Sequence, residues 1–178
     1  MRILPTTWKV LTVAVAVFLA TLGMSPAASA APAGPGNFCN VDLNAMKRAC
    51  FQTESQMLQH ASSAGRQPAV AVYDWINYNQ GGGYDVWSVS QPCTTTTSDQ
   101  DYPFPDLTVW SYHNTGVTYD RTLSSVSTYT SNNTHCDIRL YEGPGMTGDS
   151  SVAISACKHL GTCTAENWYN RARSFVLT

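Results

Sequence analysis

Charge is scarce in this chain. Only 12% of its 178 residues are Asp, Glu, Lys or Arg, about half the usual share, and ten basic against twelve acidic side chains leave a net charge of −2. No basic face of the kind that holds nucleic acid or an anionic membrane is therefore expected. Long apolar runs are lacking beyond the first two dozen residues, so nothing after them predicts a membrane-spanning helix of roughly 20 residues. Catalytic signatures are missing as well. There is no G-x-S-x-G elbow and no H-E-x-x-H element, and no C-x-x-C pair or H-x-x-x-H element of the sort that binds zinc. His60, His113, His135 and His159 are scattered. Asp99 and Asp101 lie in a polar stretch that offers no burial to make either a general acid. The chain reads as a protein that is not an enzyme.

What is present begins with a cationic start (Arg2, Lys9), an apolar run from Val10 to about Leu22 and a small-residue exit, Ala28-Ser29-Ala30. That is the order of a cleavable secretory signal, and cleavage after Ala30 is expected. The mature chain is then secreted and extracellular, without membrane attachment, and loses two positive charges with the signal. It is roughly 150 residues long, enough for one domain that buries about 70% of its unfolded surface. All six cysteines (Cys39, Cys50, Cys93, Cys136, Cys157, Cys163) lie beyond the signal, and an even count in an oxidising space predicts three disulfides. Six cysteines allow 15 pairings. Short spacing favours Cys39 with Cys50 and Cys157 with Cys163, leaving Cys93 for Cys136, but spacing does not fix the set.

Residues 31–36 (APAGPG) form a Pro/Gly linker. From Asp42 the pattern turns helical, with Leu43, Met46 and Cys50 on one face and Asp42 as cap, and a second stretch from Thr53 carries Met57, Leu58 and Ala61 before Gly65 and Pro68. Residues 31–68 are thus read as linker and short helical arm. After Pro68 the grammar changes to β-rich runs at 70–75, 86–89, 107–112, 125–129, 138–141, 152–154 and 174–177, separated by Gly, Asn, Asp and Pro clusters, which suggests a sandwich or barrel. The segment PCTTTTSDQDYPFP between Pro92 and Pro105 fits no strand period and is expected as an exposed loop tied by Cys93.

Residues 69–178 carry a weak internal echo. Tyr141, six intervening residues and Gly148, with Ser174 later, describe a strand folded back over its own sheet: the glycine takes positive φ, the aromatic packs over the turn and the serine hydroxyl ties the turn down. Trp75, Gly82 and Ser124 form a looser first copy. This skeleton resembles the Greek-key motif of the βγ-crystallin family, and among secreted, disulfide-bonded bacterial proteins it is most similar to the streptomycete metalloproteinase inhibitors. The resemblance implies a mostly β, double Greek-key sandwich with motifs at about 69–130 and 135–178.

The resemblance also implies a calcium motif: paired Asn/Asp, two free positions, then Ser/Thr-Ser, which gathers oxygen ligands for a hard cation. The candidate stretches are 120–125 and 170–175. Arginine occupies the second acidic position of each, leaving Asp120 and Ser124 as the surviving ligands, so no cofactor is expected. For function the resemblance implies a proteinase inhibitor that blocks an extracellular protease with a rigid loop. The candidate inhibitory residues are Lys158, His159 and Leu160, inside the short loop between Cys157 and Cys163, and the insertion from Cys93 to Pro105 is a second candidate. The alternative is a non-enzymatic module that binds cell-wall polysaccharide, or an antifungal, killer-toxin-like one, with Tyr78, Tyr84, Trp87 and Trp110 as an exposed aromatic row.

Overall fold

The structure, a computed structural model, describes residues 37–129 and 134–178. The signal-peptide and linker readings fall on residues outside these. Among the described residues no helix is long and apolar enough to cross a membrane.

The chain opens on a hairpin, β1 (Phe38–Asp42) and β2 (Lys47–Phe51), followed by helix α1 (Glu54–Ser63). Strands β3 (Gln67–Tyr73), β4 (Tyr84–Val89), β5 (Tyr102–Phe104) and β6 (Ser125–Thr128) make the first Greek key. Strands β7 (Ile138–Gly143), β8 (Thr147–Ser150), β9 (Ala156–Cys157) and β10 (Ser174–Leu177) make the second. One sheet runs β2-β1-β4-β3-β6-β9 and the other β5-β10-β7-β8. Each motif thus keeps its first, second and fourth strands in one sheet and lends its third to the other, β5 pairing with β10 and β9 with β6. The protein is a mostly β, crystallin-like double Greek-key sandwich.

The helical reading from Asp42 is overturned. The Asp42 carboxylate accepts the amides of Asn44 and Ala45 at 2.9 and 3.1 Å, an Asx turn that competes with helix and closes a hairpin instead. The hairpin is no free arm, because β1 pairs in parallel with β4 and widens the first sheet to six strands. The second helical stretch does form a helix, α1, with the Thr53 hydroxyl accepting the Gln56 amide at its start. Within the polar insertion, residues 102–104 are a strand rather than exposed loop, and Phe104 is fully buried. Residues 107–112 start instead as a short 3-10 turn capped by Asp106. Residues 152–154 contribute one bridge, between Ile138 and Ile154.

Two covered faces explain why β4, and β3 from Pro68 onward, are buried. Val70, Val72, Trp87 and Val89 face the core between the sheets, while Ala71, Tyr73, Tyr84 and Val86 face outward and are covered by Met57 of α1. The inter-sheet core centres on Trp87, whose ring meets Phe104, Phe175 and Tyr119 with centroids 4.4, 5.2 and 5.3 Å away. The disulfides are Cys39–Cys50, Cys93–Cys136 and Cys157–Cys163, the set that short spacing favours, and three of them suit an oxidising compartment.

A buried charge joins the hairpin to the sandwich. Asp85 on β4 is fully buried and lies 3.3 Å from the guanidinium of Arg48 on β2. The Tyr119 hydroxyl donates to the same carboxylate and accepts from Arg48 at 2.7 Å. Arg48 also donates to the Ser111 carbonyl at 2.5 Å and lies over the Trp110 ring. Burial pushes the Asp85 carboxyl up to about 7, against the pull of Arg48, Tyr119 and the His113 amide.

Two outcomes follow. Asp85→Ala strands the Arg48 guanidinium and is expected to cost about 3 kcal/mol in denaturant unfolding, the low end for a buried pair because Arg48 keeps some solvent contact. The Arg48→Met/Asp85→Leu double variant, which removes both charges, is expected to be more stable than Asp85→Ala. The acidity of Asp85 also sets a pH dependence. Between about pH 4 and 7 the folded state holds a proton that the unfolded carboxyl releases, so stability falls as pH rises through this window. Asp85→Asn removes that component of the slope in unfolding curves recorded across it.

Candidate functional site

Each Greek key is tied by one serine. In the second, the Ser174 hydroxyl donates to the Gly143 carbonyl at 2.6 Å and accepts the Met146 amide at 3.0 Å. In the first, Ser125 does the same, donating to the Trp75 carbonyl at 2.6 Å and accepting the Tyr78 amide at 3.2 Å. Paired positive-φ residues match as well, Gly145 (65°) and Met146 (57°) against Asn77 (62°) and Tyr78 (57°). The expected first copy is therefore shifted. Ser125, not Ser124, is the counterpart of Ser174. Tyr73, which pairs with Ser125 as Tyr141 pairs with Ser174, is the equivalent aromatic. Gly148 takes the expected positive φ of 75°, whereas Gly82 does not. Gly82 instead makes room for the Trp75 indole, which a Cβ there would meet at 2.7 Å.

The calcium candidates are engaged internally. The Asp120 carboxylate accepts from Arg173 Nε at 3.0 Å, and the Ser124 hydroxyl donates to the Asn170 side chain at 2.9 Å. Arg171 reaches Glu142 and Asp149. A guanidinium thus sits where a cation would need Asp120, and this donor set does not fit calcium. Cys39, Cys50 and His113 come within 4.8 Å of one another, but the two thiols are joined in a disulfide and offer no metal ligand.

The loop between Cys157 and Cys163 does not present Leu160, the apolar residue expected to fill a specificity pocket, to solvent. Leu160 is fully buried in the inter-sheet core, its amide donates to the Ser124 carbonyl and its carbonyl accepts the Trp168 amide. Lys158 is exposed, but its carbonyl holds the Asn77 amide at 2.7 Å. His159 stacks on Tyr169 and accepts the Gly161 amide. An apolar side chain in so short a loop finds the core before it finds a partner.

The other candidate loop is different. Residues 94–100 are exposed without a break. They are staked at the start by the Cys93–Cys136 disulfide and by the Cys93 amide on the Thr134 carbonyl at 2.7 Å. They are staked at the end by the Asp101 amide on the Leu177 carbonyl at 3.0 Å. In between, Arg139 donates to the Thr97 carbonyl at 2.6 Å. Asp101 accepts the Thr94 amide at 2.9 Å, and Asp99 accepts the Thr94 hydroxyl at 3.1 Å. These two carboxylates close the loop.

The aromatic row expected for sugar binding does not exist as drawn. Tyr84 and Trp87 are core, Tyr78 packs on Tyr73, and Trp110 lies under Arg48. Among the described residues the exposed Trp, Tyr and Phe side chains are Trp75 and Tyr169, at 50% and 43%, neither singled out as exposed from sequence.

No protein-family model matches the chain, and no curated protein matches it. Among solved structures it is similar to the N-terminal domain of protein S (TM-score 0.38, 15% identity), with 62% of this chain and 94% of that one covered. It is also similar to a βγ-crystallin domain from Flavobacterium johnsoniae (TM-score 0.39, 19% identity), with 62% and 93% covered. The strand exchange and the paired serine ties, both read within this chain, carry the crystallin-like description.

The equivalence of the ties has a direct check. Ser125→Ala and Ser174→Ala each leave a turn amide and carbonyl without their partner and are expected to lower unfolding free energy by similar amounts, about 2 kcal/mol, in chemical denaturation.

Proposed function

We propose that this protein is a secreted, non-catalytic proteinase inhibitor whose braced loop, residues 94–100, occupies the cleft of an extracellular protease. The observation that carries the reading is seven consecutive exposed residues held at both ends and in the middle. A loop already fixed in one conformation loses little entropy on binding and resists the motion that would let a protease cut and release it. The N-terminal apolar run and the three disulfides support export to where such proteases act. The loop is polar and Thr-rich, so it suits a shallow polar cleft more than a deep apolar specificity pocket.

The test is a panel of thermolysin-like and subtilisin-like proteases titrated with the oxidised mature protein. Near-stoichiometric inhibition is expected of at least one. It should fall at least tenfold when residues 94–100 are replaced by a Gly/Ser segment of equal length, and in Cys93→Ser/Cys136→Ser, while Lys158→Ala leaves it unchanged. Circular dichroism confirms that the variants fold. No inhibition by the intact protein overturns the proposal.

A further inference from the structure

The fold-back turn of the first Greek key displays an indole in a way that packing does not require. Trp75 is 50% exposed and the adjacent Ile76 37%. The ring lies on the backbone of Gly81 and Gly82: a Cβ on Gly82 would come within 2.8 Å of its Cγ, Cδ1 and Cδ2, and one on Gly81 within 3.4 Å of its Cζ3. One face of the ring is therefore seated and the other is left to solvent. The turn beneath it is stiff. The Trp75 carbonyl is held by Ser125, the Asp74 amide by the Gly83 carbonyl at 2.9 Å, and the Asn77 amide by the Lys158 carbonyl at 2.7 Å. Asn77, Asn79 and Gln80 are exposed along the same turn, and carboxamides offer both donors and acceptors; the Asn79 oxygen accepts the Gly81 amide at 2.8 Å beside the ring, which leaves its NH2 as donor.

We propose that this turn is a binding site for a polysaccharide of β-1,4-linked pyranose rings, with Trp75 as the stacking platform. The apolar C–H face of a pyranose packs on an aromatic face, and its equatorial hydroxyls point outward to amide side chains at the rim. A single open face suits a flat ribbon of sugars, which offers its own faces in succession, more than a cation, which is held by an aromatic cage. The charged residues flanking the turn, Asp74 and Lys158, are of opposite sign and favour neither a cation nor an anion. A nucleobase partner would bring phosphates to a chain with net charge −2. This site shares no residue with the braced loop 94–100, so the two readings stand or fall separately.

The experiment is depletion binding of the oxidised mature protein to insoluble β-1,4-glucan and to insoluble β-1,4-linked N-acetylglucosamine polymer, with granular α-1,4-glucan as the helical control. Retention is expected on at least one β-1,4 polymer and not on the control. Trp75→Ala should weaken it at least tenfold, Trp75→Tyr should keep a measurable part, and Gly82→Ala, which pushes the indole off its seat without removing it, should weaken it as well. Thermal unfolding accompanies each variant; if Trp75→Ala does not fold, Trp75→Tyr and Gly82→Ala decide. Failure of the intact protein to bind either β-1,4 polymer, or equal retention by the folded Trp75 variants, overturns the proposal. Protease inhibition measured on the same variants is expected to be unchanged.

Discussion

Neither Greek key closes its own sheet. The second sheet ends on β5, which the first motif supplies, and the first sheet ends on β9, which the second motif supplies. Phe104 of β5 stacks on Phe175 of β10 and meets Trp87 of the opposite sheet, so one borrowed side chain touches both layers of the core. Because each motif must send a strand across and return, the chain has long connections before β5 and after β9. The braced loop 94–100 is the outgoing crossover of the first motif, and the loop between Cys157 and Cys163 opens the return of the second. Both carry a disulfide near the point where the exchanged strand leaves or arrives. Loop closure over such distances is costly in chain entropy, and the cross-links reduce what folding must offset.

The N-terminal hairpin breaks the symmetry between the two sheets. It adds two strands to one sheet only, and α1 then covers that sheet's outer face through Met57, against Tyr73, Tyr84 and Val86. The central strands β3 and β4 of the six-stranded sheet are covered on both faces, whereas β8 of the other is exposed along its length. Arg48 fastens this addition by reaching across the inter-sheet face of β1, which it shares with Val41 and Trp87, to Asp85 and the Ser111 carbonyl. Without the hairpin Asp85 would keep only Tyr119 as a side-chain partner, which makes residues 38–51 part of the domain's interior chemistry and not an appendage.

Much of this architecture was legible because strand periodicity, the second Greek key and the serine tie at Ser174 are local signals. What failed, failed for identifiable reasons. The spacing of Leu43, Met46 and Cys50 reads as helix, but the Asx turn at Asp42 reverses the chain there and sets Cys39 opposite Cys50 across a hairpin, a long-range pairing that periodicity within the segment does not carry. The strand at residues 102–104 was hidden by flanking prolines and by Pro103 within it, which an edge strand tolerates. Ser124 and Ser125 are both buried and adjacent, so only the register against Tyr73 tells which one faces the turn. Trp75 was read by type as a packing residue, and nothing local in the sequence marks one face of its ring as open.

The paired segments 120–125 and 169–174 show how the sandwich holds its centre with its own charges. Arg121 and Asn170 both adopt positive φ, and their amides reach across to the Ala172 and Leu123 carbonyls at 2.9 and 3.1 Å, a reciprocal exchange between the motifs. The side chains extend it, Arg173 to Asp120 and Ser124 to Asn170. A guanidinium tethered to the chain is present at a fixed local concentration and keeps its charge at any physiological pH, whereas a bound cation depends on its supply. The junction between the two halves is thereby held by groups of the chain itself. The loops are part of this framework, since Leu160 enters the core and the Lys158 carbonyl holds the turn of the first motif, while the ion pairs that extend the junction stay partly exposed to solvent.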